Sequence, residues 1–153
     1  MRLALYQPDI PQNTGTILRL AACLDVPVDV IGPTGFDMSD RNLRRAGLDY
    51  LAYVDLTRHQ SWDQYLATRS GPTAGRLVLL SSRAAARLPG FTFSEHDTLL
   101  LGRESAGVPD AVRAACGAEV TIPMKSPLRS LNVAVAAALV LGEALRQTGG
   151  FPD

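Results

Sequence analysis

Three stretches of this chain set polar and charged side chains beside glycine in patterns that ordinary loops lack. Pro11-Gln12-Asn13-Thr14-Gly15-Thr16-Ile17-Leu18-Arg19 places an amide and a glycine where a helical pattern opens, with a guanidinium about one turn later. Leu100-Leu101-Gly102-Arg103-Glu104-Ser105-Ala106-Gly107-Val108-Pro109 brackets a carboxylate with two glycines directly behind an apolar run. Ile122-Pro123-Met124 leads through a short loop into Ser130-Leu131-Asn132, which enters an almost wholly apolar helix. Taken singly, each has an ordinary structural explanation: a helix cap with a solvated arginine, a turn whose glycines supply positive φ, and a second cap made by Ser130.

Two kinds of chemistry are disfavoured. No Gly-x-Gly-x-x-Gly follows the first strand pattern, and the Gly102 to Gly107 loop lacks the Lys-Ser/Thr pair of a P-loop, so an ordinary NAD or mononucleotide site is not expected. Cys23 and Cys116 sit in helical patterns with no second ligand at metal spacing, and are expected to be buried small apolar residues. His59 and His96 lie in polar, loop-like sequence and are expected on the surface. No metal site is expected.

The elements that must carry these loops alternate from end to end. Apolar runs predict strands over residues 3–6, 28–31, 51–54, 77–80, 98–101 and 120–122. Helical patterns cover residues 14–25, with Asn13 or Thr14 as cap, and residues 39–46, 61–68, 109–115 and 131–147. In the 61–68 helix the expected buried side is Trp62, Tyr65 and Leu66. Such alternation predicts an α/β fold, a mostly parallel sheet with helices on both faces, whose ligands bind beyond the carboxyl ends of the strands. The chain of 153 residues, 46% hydrophobic and 20% charged, suits one domain over residues 1–153.

The last helix is apolar nearly all round, so it needs cover on more than one side, and a second copy of the chain is a source of that cover. Its longest apolar run is about half the roughly 20 residues of a membrane span, and the apolar start of the chain is too short for a signal peptide, so a cytoplasmic protein is expected. Formal net charge is zero, which on its face argues against a nucleic-acid partner. Fourteen of the fifteen basic residues are arginine, however, and Arg41, Arg44 and Arg45 cluster on one short segment. A solvated basic face explains that cluster equally well.

The order and setting of the three stretches resemble the three motifs of the SpoU/TrmH branch of the SPOUT methyltransferases, which methylate RNA ribose 2′-hydroxyls with S-adenosylmethionine in a knotted fold. Tyr6-x-Pro8-x-Ile10-Pro11-x-Asn13-Thr14-Gly15, the run Leu43-Arg44-Arg45-Ala46-Gly47-Leu48-Asp49-Tyr50 and the ending Glu143-Ala144-x-Arg146-Gln147 look like the small TrmL/YibK group, which acts on the tRNA wobble nucleotide. The matches run from residue 3 to residue 151.

The resemblance implies a C-terminal trefoil knot, a homodimer and tRNA as partner. It further implies a cofactor pocket built from Leu80, Gly102, Ile122, Met124, Ser130, Leu131 and Asn132. Arg19 is implied as the central catalytic residue, with Asn13 and Glu104 orienting it or the ribose, and Arg41, Arg44 and Arg45 as contacts to the tRNA backbone. Because a guanidinium stays protonated, Arg19 is expected to hold a phosphate and stabilise developing alkoxide rather than to accept the proton. The chain departs from the group at Leu128, where serine is usual, at Ala134, which replaces a serine, and at Gly142, which often is tyrosine. The rival readings are the same reaction at another tRNA or rRNA site, and a non-catalytic RNA-binding member of the fold.

Overall fold

The computed structural model describes residues 1–45, 50–71 and 74–153, and within them all side chains except those of Asp40, Arg44 and Arg45. Six strands, β1 (Arg2–Tyr6), β2 (Val28–Ile31), β3 (Leu56–His59), β4 (Leu77–Leu80), β5 (Thr98–Leu101) and β6 (Ala118–Val120), form one sheet in the order β3-β2-β1-β5-β4-β6. Every pairing is parallel. Among the described residues the helices α1 (Pro11–Cys23), α2 (Asp40–Arg45), α3 (Trp62–Thr68) and α4 (Asp110–Ala114) lie between strands, and α5 (Val133–Thr148) follows the last one. The sheet grows outward in one direction from β1 and in the other from β5, so these central neighbours form a switch point where the following loops diverge and leave a crevice.

Alternation along the strands divides the core. Leu3, Leu5, Val28, Val30, Leu99 and Leu101 face α1 and α5 and pack with Ile17, Leu18, Leu141 and Leu145. Ala4, Tyr6, Ile31, Leu79 and Leu100 face the other way, towards Tyr65 of α3 and Val112 of α4. Both faces of the sheet are covered, which is why the central strands read as unbroken apolar runs rather than alternating ones.

Several expectations need correction. Residues 51–54 are no strand: Leu51–Tyr53 is a 3-10 turn, closed by bonds from Tyr53 N to Tyr50 O and Val54 N to Leu51 O. The third strand is the polar edge segment Leu56–His59, whose outward residues obscure its strand character in the sequence. The last strand lies two residues earlier than its apolar run suggests, at Ala118–Val120. Helix α1 begins at Pro11, whose missing N–H suits the first helical position, and Ile10 precedes it with no side-chain cap; neither Asn13 nor Thr14 is the cap. Leu66 is exposed, so Trp62 and Tyr65 alone of the three turn inward.

His59 is buried, not solvated. Its Nε2 stands 2.7 Å from Asp29 Oδ1, and its ring meets Tyr65 edge-on at 5.1 Å. Cys23 is exposed at the end of α1, while Cys116 is half-buried with its Sγ 3.3 Å from the Val112 carbonyl. Among the described residues no helix is long and apolar enough to cross a membrane.

Candidate functional site

A cavity of about 570 Å³ opens at the carboxyl ends of β4, β5 and β6, within the ~300–1,000 Å³ typical of small-molecule sites. Leu80, Gly102, Ile122, Met124, Ser130, Leu131 and Asn132 all line it, so the seven expected cofactor residues converge although they come from three separate segments. Asn13 and Glu104 line it too. The sequence reading missed Ser81, Ser82 and Arg83; their position directly behind β4 was the available signal, because loops leaving the carboxyl ends of strands face the crevice.

The polar groups form one continuous chain of hydrogen bonds. Glu104 Oε2 accepts from the Asp9 backbone N–H at 3.0 Å, and Glu104 Oε1 accepts from Asn13 Nδ2 at 3.3 Å. Asn13 Oδ1 in turn accepts from Asn132 Nδ2 at 2.9 Å. Asn132 Oδ1 accepts from the Ala134 N–H at 2.9 Å and the Val135 N–H at 3.4 Å, which makes Asn132, not Ser130, the cap of α5. Residues 91 and 119 positions apart in sequence are thereby joined across the switch point, fixing the loop behind β1, the loop behind β5 and the start of α5 relative to one another.

A second tie reinforces the first. Asp9 Oδ2 accepts from the Ser105 hydroxyl, and Arg103 Nε donates to the Gln7 carbonyl at 3.1 Å while lying 3.9 Å from Asp9 Oδ2. Gln7 itself has φ of 44°, a left-handed conformation that turns the chain sharply out of β1. Asp9 Oδ1 is buried without a partner among the described residues. Gly35 lies against this loop so closely that a Cβ there would stand 2.6 Å from Asp9 Cβ.

The two carboxyl groups titrate in opposite directions. Burial, and then the neighbouring Asp9 carboxyl, raises Glu104 above the usual carboxylate range. The neighbouring Glu104 carboxyl, followed by the bond from the Ser105 hydroxyl, holds Asp9 below it. Glu104 is therefore the partner that retains a proton longer as pH rises.

The glycines of the second stretch have a steric reason. Gly107 has φ of 68°, and a Cβ on Gly102 would lie 2.8 Å from the Gly107 carbonyl carbon. Arg103 N donates to Gly107 O at 3.0 Å and Gly107 N to Arg103 O, so the loop folds flat on itself beside the cavity. Apolar walls from Leu79, Leu101, Ile122 and Val133 suit the apolar faces of an adenosine-like ligand.

Arg19 does not face this cavity. It is exposed on α1, and its guanidinium lies over the Tyr50 ring at 4.5 Å. Neither Asn13 nor Glu104 orients it, since their side chains are occupied by each other and by Asn132 and Asp9. Arg19 shares the outer side of α1 with Gln12 and Thr16, next to α5 residues Val135 and Leu139, which are 49% and 48% exposed. A second depression, lined by Asn13, Thr16, Asn132, Val135 and Leu139, runs along this face. Arg41 is exposed on α2; the side chains of Arg44 and Arg45, and the segment 46–49 of the run that follows, lie outside the described residues.

The model of the SpoU rRNA Methylase family matches residues 1–142. A protein of Beijerinckia indica named tRNA (cytidine(34)-2′-O)-methyltransferase is 60% identical over 149 residues, covering 97% of this chain and 92% of its own. An Escherichia coli K12 protein of the same name is 36% identical, covering 97% of this chain and 94% of its own. A solved structure described as giving insights into the 2-OH methylation of C/U34 on tRNA superposes with a TM-score of 0.87 at 45% identity, over 95% of this chain and 94% of that one. The SpoU methyltransferase AviRb of Streptomyces viridochromogenes, solved with AdoMet, gives a TM-score of 0.85 at 31% identity, over 96% of this chain and 57% of that one.

Proposed function

The chain belongs to the SpoU rRNA Methylase family, and from that premise we propose that it transfers a methyl group from S-adenosylmethionine to the ribose 2′-hydroxyl of the tRNA wobble nucleotide, cytidine or uridine 34. The relatives named for that reaction support the substrate, as does the structure described for C/U34 methylation. The observation that carries the reading is the unbroken chain Glu104–Asn13–Asn132, which locks the loop behind β1 to both loops of a cavity lined by all seven residues expected to hold the cofactor.

When bound, S-adenosylmethionine would supply an activated methyl group for transfer from sulfur to the ribose oxygen, with S-adenosylhomocysteine as the other product. The protein's part is placement, because an in-line displacement depends on alignment of oxygen, carbon and sulfur. Main-chain groups around Leu80, Gly102, Ile122 and Met124 would hold the adenosine, while Ser130, Leu131 and Asn132 close the pocket beside them. Asn13 and Glu104 keep that closure in register. The ribose proton passes to an RNA phosphate or to solvent, and Arg19 stabilises the developing alkoxide.

Arg19 lies on the outer α1/α5 face, so this role requires that face to meet a second pocket. We assign it to the interface of a homodimer, where Val135 and Leu139 lose their exposure and one protomer's Arg19 reaches its partner's site. Arg41, Arg44 and Arg45 are assigned to the tRNA backbone, and the protein to the cytoplasm, where its substrate is. The trefoil knot is assigned from the family resemblance.

The test is transfer of labelled methyl to tRNA lacking this modification, with the product nucleotide mapped by mass spectrometry. Methyl on the ribose of nucleotide 34 is expected, and Arg19→Ala should bind the cofactor yet lose transfer. Cofactor binding with no ribose methylation of any tRNA would overturn the reading, and undiminished turnover by Arg19→Ala would remove Arg19 from it.

A further inference from the structure

The chain has no net charge, yet two of its segments carry no acid at all. Between Ser81 and Ser94 the charged residues are Arg83 and Arg87; between Val120 and Gly142 they are Lys125, the chain's only lysine, and Arg129. The fold lays these segments side by side. Arg87 bridges to Thr121, Thr121 N donates to Ala86 O at 2.9 Å, and Leu88 N donates to Thr121 O at 2.8 Å. Lys125 and Arg129 follow in the loop leading to α5, where a turn from Leu128 N to Lys125 O at 2.9 Å holds the backbone. Arg83 stands at the cavity mouth with Met124 and Ser130.

All four cations are exposed, and among the described residues none has a carboxylate partner. Other arginines of the fold are paired: Arg2 with Asp29, Arg76 with Asp97, Arg113 with Glu119, Arg146 with Glu143. Four unpaired cations on two adjoining acid-free loops make a local positive field in a neutral molecule, and that field borders the mouth of the proposed methyl-donor pocket. Its complement is a polyanion whose reacting part enters the cavity while its backbone runs over the rim.

We propose that this rim, Arg83, Arg87, Lys125 and Arg129, is a phosphate-binding surface for the RNA substrate, on the β4–β6 side of the pocket and separate from the α2 arginines. The inference rests on the reading that RNA is the substrate, and it adds where the strand flanking the target nucleotide runs. Each phosphate neutralised releases counterions, so the rim contributes to the salt dependence of binding.

The experiment measures tRNA affinity by fluorescence anisotropy across a salt series, for wild type and for Arg87→Gln/Lys125→Gln/Arg129→Gln, three residues outside the cavity lining. Cofactor affinity and melting temperature are measured on the same samples. Loss of three phosphate contacts should reduce the slope of log affinity against log salt by roughly two to three. Affinity at moderate salt should fall at least tenfold, with cofactor binding retained. An unchanged slope and affinity, in a variant that melts and binds cofactor like wild type, would overturn the rim while leaving the methyltransfer reading intact. Failure of the wild-type protein to bind any tRNA would defeat that reading, and the rim with it. Should the triple variant fail to fold, the single variants decide the matter, each expected to lower the slope by about 0.7–0.9.

Discussion

Charges at the two ends of the parallel strands are treated differently. Towards the amino ends they are closed off: Asp29 accepts from Arg2 Nε at 3.0 Å, while Asp97, 1% exposed, accepts from Arg76 Nε at 2.8 Å, Arg76 Nη2 at 3.0 Å and Ser94 N at 2.8 Å. At the carboxyl ends a buried Asp9 oxygen has no partner, two carboxyl groups share one hydrogen-bonded cluster, and the rim cations lack counterions among the described residues. The first arrangement holds strands together. The second leaves unpaired cations beside a cavity, where they can be used on a ligand.

Substitutions at the two ends should therefore separate activity from stability. The largest expected effect is on turnover. Asn13→Ala removes the central link of the chain joining Glu104 to Asn132, including a bond to a carboxyl group. Methyl transfer should fall about 10- to 100-fold, as misplacing reacting groups by about 1 Å does, with melting temperature shifted little. At the other end, Arg76→Ala strips Asp97 of two of its three donors. Because the guanidinium is partly solvent-exposed, a loss of about 1–3 kcal/mol in urea unfolding is expected, with cofactor affinity changed less than twofold. If Arg76→Ala impaired transfer while stability held, the contrast between the two ends would be wrong.

Much of this layout is legible in the sequence. The runs at β1, β2, β4 and β5 are buried on both faces, so their apolar character identifies them directly. β3 is an edge strand whose Thr57 and Arg58 face solvent, and this removed the signal and pushed the expected strand onto residues 51–54. His59 was missed for the same reason: polar neighbours conceal a strand end whose partner, Asp29, lies 30 positions away. At the site, the seven pocket residues and the pair Asn13 and Glu104 were readable as motifs. The bonds among them were not, because no periodicity reports that Asn13 meets a side chain 119 positions away. The outward direction of Arg19 was also hidden, since it depends on how α1 packs against α5.

The carboxyl-end cluster should also show in pH dependence. Glu104 is raised, so its contribution to stability is complete below the ordinary glutamate range and is lost as pH rises through the folded-state value. Asp9 is lowered, and its contribution is lost as pH falls through its folded-state value. Glu104→Gln removes only the first dependence. Thermal melts between pH 4 and pH 8 should show the variant gaining on wild type as pH increases; parallel curves would contradict the raised titration of Glu104.

The smallest effect concerns the thiols. Burial, then the nearby Glu119 charge, pushes the Cys116 thiol up to about 11, whereas Cys23 is exposed at the end of α1. Alkylation at pH 8 followed by peptide mass spectrometry should label Cys23 well before Cys116. Equal rates would indicate that the α4 region opens as readily as the surface of α1.

The direct contact between Asn13 and Asn132 is the point at which the account is most exposed. A double-mutant cycle with Asn13→Ala and Asn132→Ser tests it, because serine can still cap α5 while losing the Nδ2 that donates to Asn13. With methyl-transfer rate as readout, the two substitutions should be non-additive by at least about 0.5 kcal/mol, the double variant scarcely worse than the more damaging single one. Strict additivity would mean that the two loops act independently, and that the hydrogen-bonded chain across the switch point does not hold the site together.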